Sequence, residues 1–321
     1  MKNLINSKAL LSKITKQKAS IAVLLMLVTM LFFKTNFYTF FNIFDMLNST
    51  SILLIIAFGI TMVIIAGGID LSVGGTMVVA GITVIKLMDI LPIWLAIIGA
   101  LIVGALIGAV NGYLVVYQKT EPFIITLGMG MLLTGMAQQL TDAHPIAAKD
   151  FRFMMIANGR IFGVIPNLVV IMLVVLFITY WILRHTQFGR NCHAIGGDYE
   201  VAEYSGINVK RIKATTYVLC GIATALAGVL LSSKLNSGSS VYGDTTALTV
   251  ISAVVVGGTS LAGGVGGIPQ TAMGLLVFGI MENAMNMLGI NPYVQIILRG
   301  ILIVTILCLD SYSRKKKRET V

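Results

Sequence analysis

Ten apolar runs, separated by more polar links, are the strongest constraint on what this chain can fold into. They cover residues 20–40, 51–67, 74–88, 92–117, 122–140, 167–183, 214–235, 247–264, 268–289 and 293–310. A helix needs roughly 20 apolar residues to cross a hydrocarbon core. Ten such runs within 321 residues leave no room for a large soluble domain. Composition agrees: 57% of residues are hydrophobic and 11% charged, against about 25% charged in a soluble domain. That much apolar surface cannot be hidden in one soluble core. The expected fold class is therefore all-α integral membrane, with about ten transmembrane helices. The third and eighth runs are short and rich in glycine, which predicts short or interrupted helices there. Irregular backbone at membrane depth must be buried in protein or line a cavity.

Charge orients the bundle. Lys2, Lys8, Lys13, Lys16 and Lys18 precede the apolar stretch from Ile21 to Phe33. Lys34, Thr35 and Asn36 follow it instead of a small-residue cleavage site, so it reads as a retained span and not a removable signal. With the N-terminus inside, segments 1–20, 118–121, 184–213 and 311–321 hold 16 of the 23 lysines and arginines. Basic residues accumulate on the cytoplasmic side of membrane proteins. The net charge of +10 thus sets topology and does not point to nucleic acid. The expected organisation is a basic cytoplasmic N-terminus over 1–20, a polytopic transmembrane domain over 21–310 and a basic cytoplasmic tail over 311–321. The tail, Arg314–Arg318, would lie beside anionic membrane lipid.

Enzyme chemistry finds little foothold. There is no HExxH, no GxxxxGK[ST] phosphate loop and no CxxC pair, and Cys192, Cys220 and Cys308 lie far apart. No metal, cofactor or ATP site is expected on this chain. Gly104, Gly108 and Gly112 follow a GxxxGxxxG spacing, and Gly221 and Gly228 recur in the seventh run. Such spacing lets helix backbones approach closely in lipid.

Polar residues within apolar runs are costly, and each is a candidate for the translocation pathway. Asp70 and Ser72 lie between Gly68 and Gly74, Asn111 ends the fourth run, and Glu282 and Asn283 fall inside the ninth. Asp70 could line a gate or satisfy free backbone N–H groups at a helix start. Glu282 could line the path or pair with Arg299 or Lys86. The loop 141–166, with Asp142, His144, Asp150, Arg152 and Arg160, could dock a soluble partner or be simply solvated. Two internal echoes stand out: Gly67–Gly74 against Gly257–Gly264, and Pro122–Ile125 against Pro292–Gln295. The proposed topology makes the first pair parallel and the second inverted.

The inside loop 184–213 is the most informative polar stretch. Asp198 has the character of an N-cap and Gly206 of a helix stop. A helix that short is marginal alone and needs a surface to lie on. The run Thr186, Gly189, Ala194, Gly196-Gly197, Ala202 and Gly206-Ile207 resembles the permease subunits of ribose- and galactose-type ATP-binding-cassette importers. Gly67-Gly68-Ile69-Asp70-Leu71-Ser72-Val73-Gly74, Val256-Gly257-Gly258-Thr259-Ser260-Leu261-Ala262-Gly263-Gly264 and Leu288-Gly289-Ile290-Asn291-Pro292-Tyr293 resemble the same family. The likeness extends from about residue 40 to 310.

The resemblance implies that Gly189, Arg190, Ala194, Gly196, Gly197, Asp198, Ala202 and Gly206 belong to a coupling segment docking on an ATPase. It also implies three kinds of protein partner: an ATPase subunit, a periplasmic or lipid-anchored sugar-binding protein, and a second permease subunit. The chain departs from the family at Ala247-Leu248-Thr249-Val250-Ile251, where E-L-D-x-I is usual. Pro269-Gln270 and Glu282 are further departures. The competing reading is an ion-coupled secondary transporter that uses Asp70 or Glu282 as a proton site. A bulky residue at Gly197 or Ala202 is expected to uncouple transport by blocking the dock. Replacing Glu282 with Gln is expected to alter uptake if Glu282 lines the path; normal rates with every sugar tested would assign it to a structural pair.

Overall fold

The computed structural model describes residues 35–243 and 245–318. The basic N-terminal segment and most of the first apolar run lie outside them. A 3-10 turn, Thr35–Tyr38, leads to Thr39, whose hydroxyl accepts from the Asn42 amide at 3.3 Å and caps helix α1, Phe40–Ile65. The second apolar run begins at residue 51 in the sequence; the helix starts eleven residues earlier, and residue 40 belongs to it and not to the first span. Tertiary contacts on Asn42 and its neighbours outweigh their polarity.

Helix α2 spans Val73–Met88. Helix α3, Ile93–Gly112, runs on into one π turn, Tyr113–Tyr117. Helix α4, Pro122–Thr141, carries proline in its first turn, where no N–H is required. After it come strand β1 (Ile146–Ala147), helix α5 (Phe151–Asn158) and a hairpin of β2 (Arg160–Ile161) with β3 (Ile165–Pro166). Helix α6 (Asn167–His185) is followed by the short helices α7 (Gln187–Gly197) and α8 (Tyr199–Tyr204). Helix α9 (Val209–Leu235) leads to β4 (Ser237–Gly238), which pairs antiparallel with β1. Helices α10 (Thr246–Val256), α11 (Ile268–Met287) and α12 (Pro292–Arg318) complete the chain. As expected, the third and eighth apolar runs form short helices, of 16 and 11 residues, next to glycine-rich breaks.

Five of these helices are long and apolar enough to cross a membrane: α1, α3 with its π turn, α4, α6 and α9. Their surroundings differ. In its most apolar stretch α1 is 83% buried, whereas α3, α4 and α6 are 22%, 17% and 28% buried. A helix that is apolar all round belongs in a core, and α1 sits there, buried almost continuously from Thr50 to Ile65. On α3, Trp94, Ile98, Ile102, Leu106 and Val110 form an exposed stripe at every fourth residue. The opposite face is Ala96, Ala100, Gly104, Gly108 and Gly112, all buried. An outward stripe of large apolar side chains fits contact with lipid, and the inward stripe of small ones allows close packing.

Helix α9 is the hub, packed on α1, α2 and α3. The GxxxGxxxG stripe meets it directly. A Cβ on Gly104 would strike the Gly221 carbonyl, one on Gly108 the Tyr217 carbonyl, and one on Gly221 the Gly104 carbonyl. One on Gly228 would strike the Met77 carbonyl of α2, and one on Gly59 of α1 would lie 3.0 Å from Cys220 Cα. Three helices thus reach α9 backbone to backbone.

The bundle has two distinct ends. At one, α7 lies against the breaks that follow α1 and α10, and α8 packs on α7 and α9. At the other, the 141–166 loop is bound down and not merely solvated. Ser233 of α9 donates to the Phe153 carbonyl at 2.6 Å and accepts from the Ala157 amide at 3.1 Å. Lys149 pairs with Asp89 at 2.7 Å. Much of the loop's charge is satisfied locally. Asp150 caps α5 and pairs with Arg152 at 2.7 Å, which holds its carboxyl below the usual range. Arg160 lies 5.4 Å from the Phe41 ring centre, and His144 Nδ1 faces the Asp142 carbonyl at 2.6 Å.

Replacing Gly108 with leucine is expected to destabilise the bundle by roughly 1–3 kcal/mol, since the side chain has no space against α9. Replacing Gly135 of α4, which faces open space, should be near neutral. Thermal unfolding of the two variants in detergent tests the contrast.

Candidate functional site

The five candidate pathway residues separate into two groups. Asp70, Ser72 and Asn111 are all buried, at the break between α1 and α2. Asp70 Oδ1 accepts from the Ser72 amide at 2.9 Å and the Ser72 hydroxyl at 2.6 Å, and Asn111 Nδ2 donates to the Ser72 hydroxyl at 2.8 Å. Asp70 thus bonds the N-cap residue Ser72, and among the described residues no side chain caps the amides of α2 itself. Side chains from other helices satisfy further backbone groups of the break. Tyr217 donates to the Ile69 carbonyl at 3.2 Å, Lys213 Nζ to the Gly67 carbonyl at 2.9 Å, and the Leu71 amide to the Thr126 hydroxyl at 3.0 Å.

Glu282 and Asn283 lie towards the opposite end, on α11. Glu282 pairs with Arg299 of α12 at 3.0 Å, which selects Arg299 over Lys86 as its partner. Asn283 and Asn42 exchange two amide hydrogen bonds, each 2.9 Å, and tie α11 to α1. Both Glu282 and Asn283 line a cleft of about 150 Å³ together with Asp45, Ser49, Thr50, Thr249, Asn286 and Arg299. Its walls come from α1, α10, α11 and α12. Thr249 falls in the stretch where the family resemblance breaks down, so that departure lies on the cleft wall.

Asp45, Ser49 and Asn286 did not stand out in the sequence. The spacing of Asp45 and Ser49, and of Glu282 and Asn286, is the i, i+4 repeat of one helix face. It was obscured at residues 41–50, which read as a link between spans.

The expected coupling segment is built in three steps. The Thr186 hydroxyl accepts from the Gly189 amide at 3.3 Å and starts α7. Gly189 is buried where a Cβ would collide with the Leu183 backbone. Gly189, Cys192 and Ile195 form the inward face of α7. Burial pushes the Cys192 thiol up to about 12, so it stays protonated and inert. Asp198 then caps α8 through Oδ1, which accepts from the Val201 amide at 3.0 Å. Gly206, at φ +79°, ends it. Its amide bonds to the Glu203 carbonyl and that of Ile207 to the Ala202 carbonyl, the Schellman closure that favours glycine at this position. The expected short helix between Asp198 and Gly206 is present.

The segment's residues do not all face outward. Arg190, Ala194, Gly197 and Asp198 are exposed, whereas Gly196 lies against Ile65 and Gly264. Ala202 is 2% exposed and packs with Ile195 and Val209. A bulky side chain at Ala202 would therefore act on the packing beneath α8, not on its outer face. That outer face is Tyr199, Val201 and Tyr204, the last 90% exposed. Only the buried position of Ala202 reveals which way the helix is turned.

A lipid-facing helical bundle with a polar cleft at one end and a capped, aromatic-faced helix at the other defines a polytopic membrane permease. The chain belongs to the family of branched-chain amino acid transport system permease components, which matches residues 42–307. Among its relatives, the ribose import permease protein RbsC of Haemophilus influenzae is 36% identical over 307 residues, covering 94% of this chain and 95% of that protein. RbsC of Escherichia coli K12 is 37% identical over 301 residues, 92% and 94% of the two chains. The L-arabinose transport system permease protein AraH of the same strain is 33% identical over 287 residues, 89% and 87%. No solved structure matches.

Removing the cap with Asp198→Ala is expected to weaken α8 by about 1 kcal/mol. Faster amide exchange over residues 199–205, with the spanning helices unchanged, is the expected reading.

Proposed function

We propose that this chain is the translocating subunit of an ATP-driven monosaccharide importer. The observation that carries the reading is the polar cleft. Asp45, Ser49, Thr50, Thr249, Asn283 and Asn286 present carboxylate, hydroxyl and amide groups, which suit the many hydroxyls of a sugar better than an apolar amino-acid side chain. The relatives point the same way, since their names specify import of ribose and transport of L-arabinose and D-allose. That favours sugars over the branched-chain amino acids of the family's description.

In this reading about ten spans cross the cytoplasmic membrane, with both termini inside. The α7–α8 end faces the cytoplasm, and the cleft opens towards a sugar-binding protein outside. Tyr199, Val201 and Tyr204 dock on a separate ATPase, and a second permease subunit completes the path. ATP-driven movement of α8 shifts the bundle between outward and inward access. Modest affinity along the path suits release. The ion-coupled alternative is disfavoured by the partners its carboxylates have: Glu282 is paired with Arg299, and Asp70 is taken up by Ser72.

The test is uptake into liposomes holding the chain, its ATPase and its binding protein. ATP-dependent uptake of a labelled pentose or hexose, with leucine excluded, is expected. Uptake driven by a proton gradient without ATP would overturn the reading. Tyr204→Asp should abolish co-purification with the ATPase while leaving the bundle folded.

A further inference from the structure

We propose that α7 and both glycine-rich breaks form one rigid latch, with His193 as its positioning residue. The inference rests on the coupling role of α8 and specifies how movement there would reach the cleft.

Three chain segments far apart in sequence meet at this point. Gly67 follows α1, Gly196 and Gly197 end α7, and Gly263 and Gly264 lie between α10 and α11. These glycines meet backbone to backbone. A Cβ on Gly196 would collide with the Ile65 carbonyl and the Gly264 amide. One on Gly263 would lie 2.8 Å from the Gly196 carbonyl oxygen, and one on Gly264 would lie 2.8 Å from Gly197 Cα. Gly67, Gly263 and Gly264 also adopt φ of +71°, +91° and +74°, where other residues are strained.

Hydrogen bonds lock the contact. The Gly264 amide donates to the Ile65 carbonyl at 2.9 Å, so one break is bonded to the other. His193 Nδ1, on α7, meets the Gly264 carbonyl at 3.0 Å, which requires a proton on that nitrogen. Lys213, at the start of α9, holds the Gly67 carbonyl at 2.9 Å.

The mechanical consequence follows from what is missing. A layer of side chains could absorb a small shift by changing rotamers. Backbones in direct contact cannot, because close-packed interiors transmit strain. Displacement of α7 therefore moves the end of α1 and the start of α11 together. Those two helices carry Asp45, Ser49, Glu282 and Asn283 on the cleft wall. The latch thus joins α8 to the cleft through two helices at once.

His193 separates this transmission from docking, because it faces Gly264 and is not on the outer face of α8. The test uses the assembled transporter in proteoliposomes. His193→Leu should retain co-purification with the ATPase and its hydrolysis rate, while sugar uptake per ATP falls about five- to tenfold, the scale of one lost hydrogen bond. His193→Asn places an amide donor near the former Nδ1 and should restore most of the ratio. Unchanged uptake per ATP in His193→Leu overturns the latch and leaves the docking reading intact. Loss of the ATPase from His193→Leu also overturns it, by assigning His193 to the dock. Retention of the ATPase by Tyr204→Asp would instead count against the docking reading. Amide exchange of the wild-type complex gives a test independent of substitution. Trapping the ATPase in its closed state should change protection over 60–72, 190–200 and 256–268 together. A change confined to 190–200 refutes a rigid latch.

Discussion

Between Ala66 and Ser72 the backbone leaves helical geometry inside the bundle, and the polar groups buried there need partners. Tyr217 and Lys213 of α9, Thr126 of α4 and Asp70 itself supply them. This demand explains much of the architecture. Side chains on α9 can reach the break only if α9 lies at the centre of the bundle. It can lie there only if its neighbours present glycine. The GxxxGxxxG stripe of α3 and Gly221 and Gly228 of α9 are therefore part of the same solution as the break. Loss of either would leave backbone groups unsatisfied or drive the helices apart.

The two ends of the molecule differ in construction. One holds the polar cleft, whose walls are clamped by the Glu282–Arg299 pair and the reciprocal Asn42–Asn283 amides. The other carries α8, fixed by a cap at Asp198 and a stop at Gly206, with aromatic side chains turned outward. Helices α1 and α11 run between them, each next to a glycine-rich break at the α8 end. A protein that couples a distant energy source to movement at a cleft needs such a continuous, stiff connection. In the proposed latch that connection is made mainly of backbone, with His193 and Lys213 adding side-chain bonds.

The internal echo in the sequence coincides only in part with this arrangement. Gly67 of the first segment and Gly263 and Gly264 of the second come together at one end of the bundle. These glycines hold non-equivalent positions of the echo: Gly74 meets the Gly243 backbone instead, and Gly257 meets that of Gln270. The 141–166 loop turned out less free than its mixed charge suggested, because Ser233, buried in α9, grips both ends of α5.

Local patterns were sufficient to read several features from the sequence alone. Apolar length defined a membrane bundle, and glycine-rich interruptions marked α2 and α10 as short. Asp198 and Gly206 bounded α8, and Gly104, Gly108 and Gly112 marked a packing face. Each rests on residues within a few positions of one another, where backbone geometry and solvation act directly. The rest depended on residues distant in sequence. Asn42 belongs to a spanning helix because Asn283, 241 positions away, receives its amide. Ala202 faces inward because Ile195 and Val209 cover it, and Asp45 reaches the cleft only once α1 and α11 are packed. No local pattern encodes those distances. Tertiary structure decided them because a buried polar group is most stable where the fold brings a partner to it.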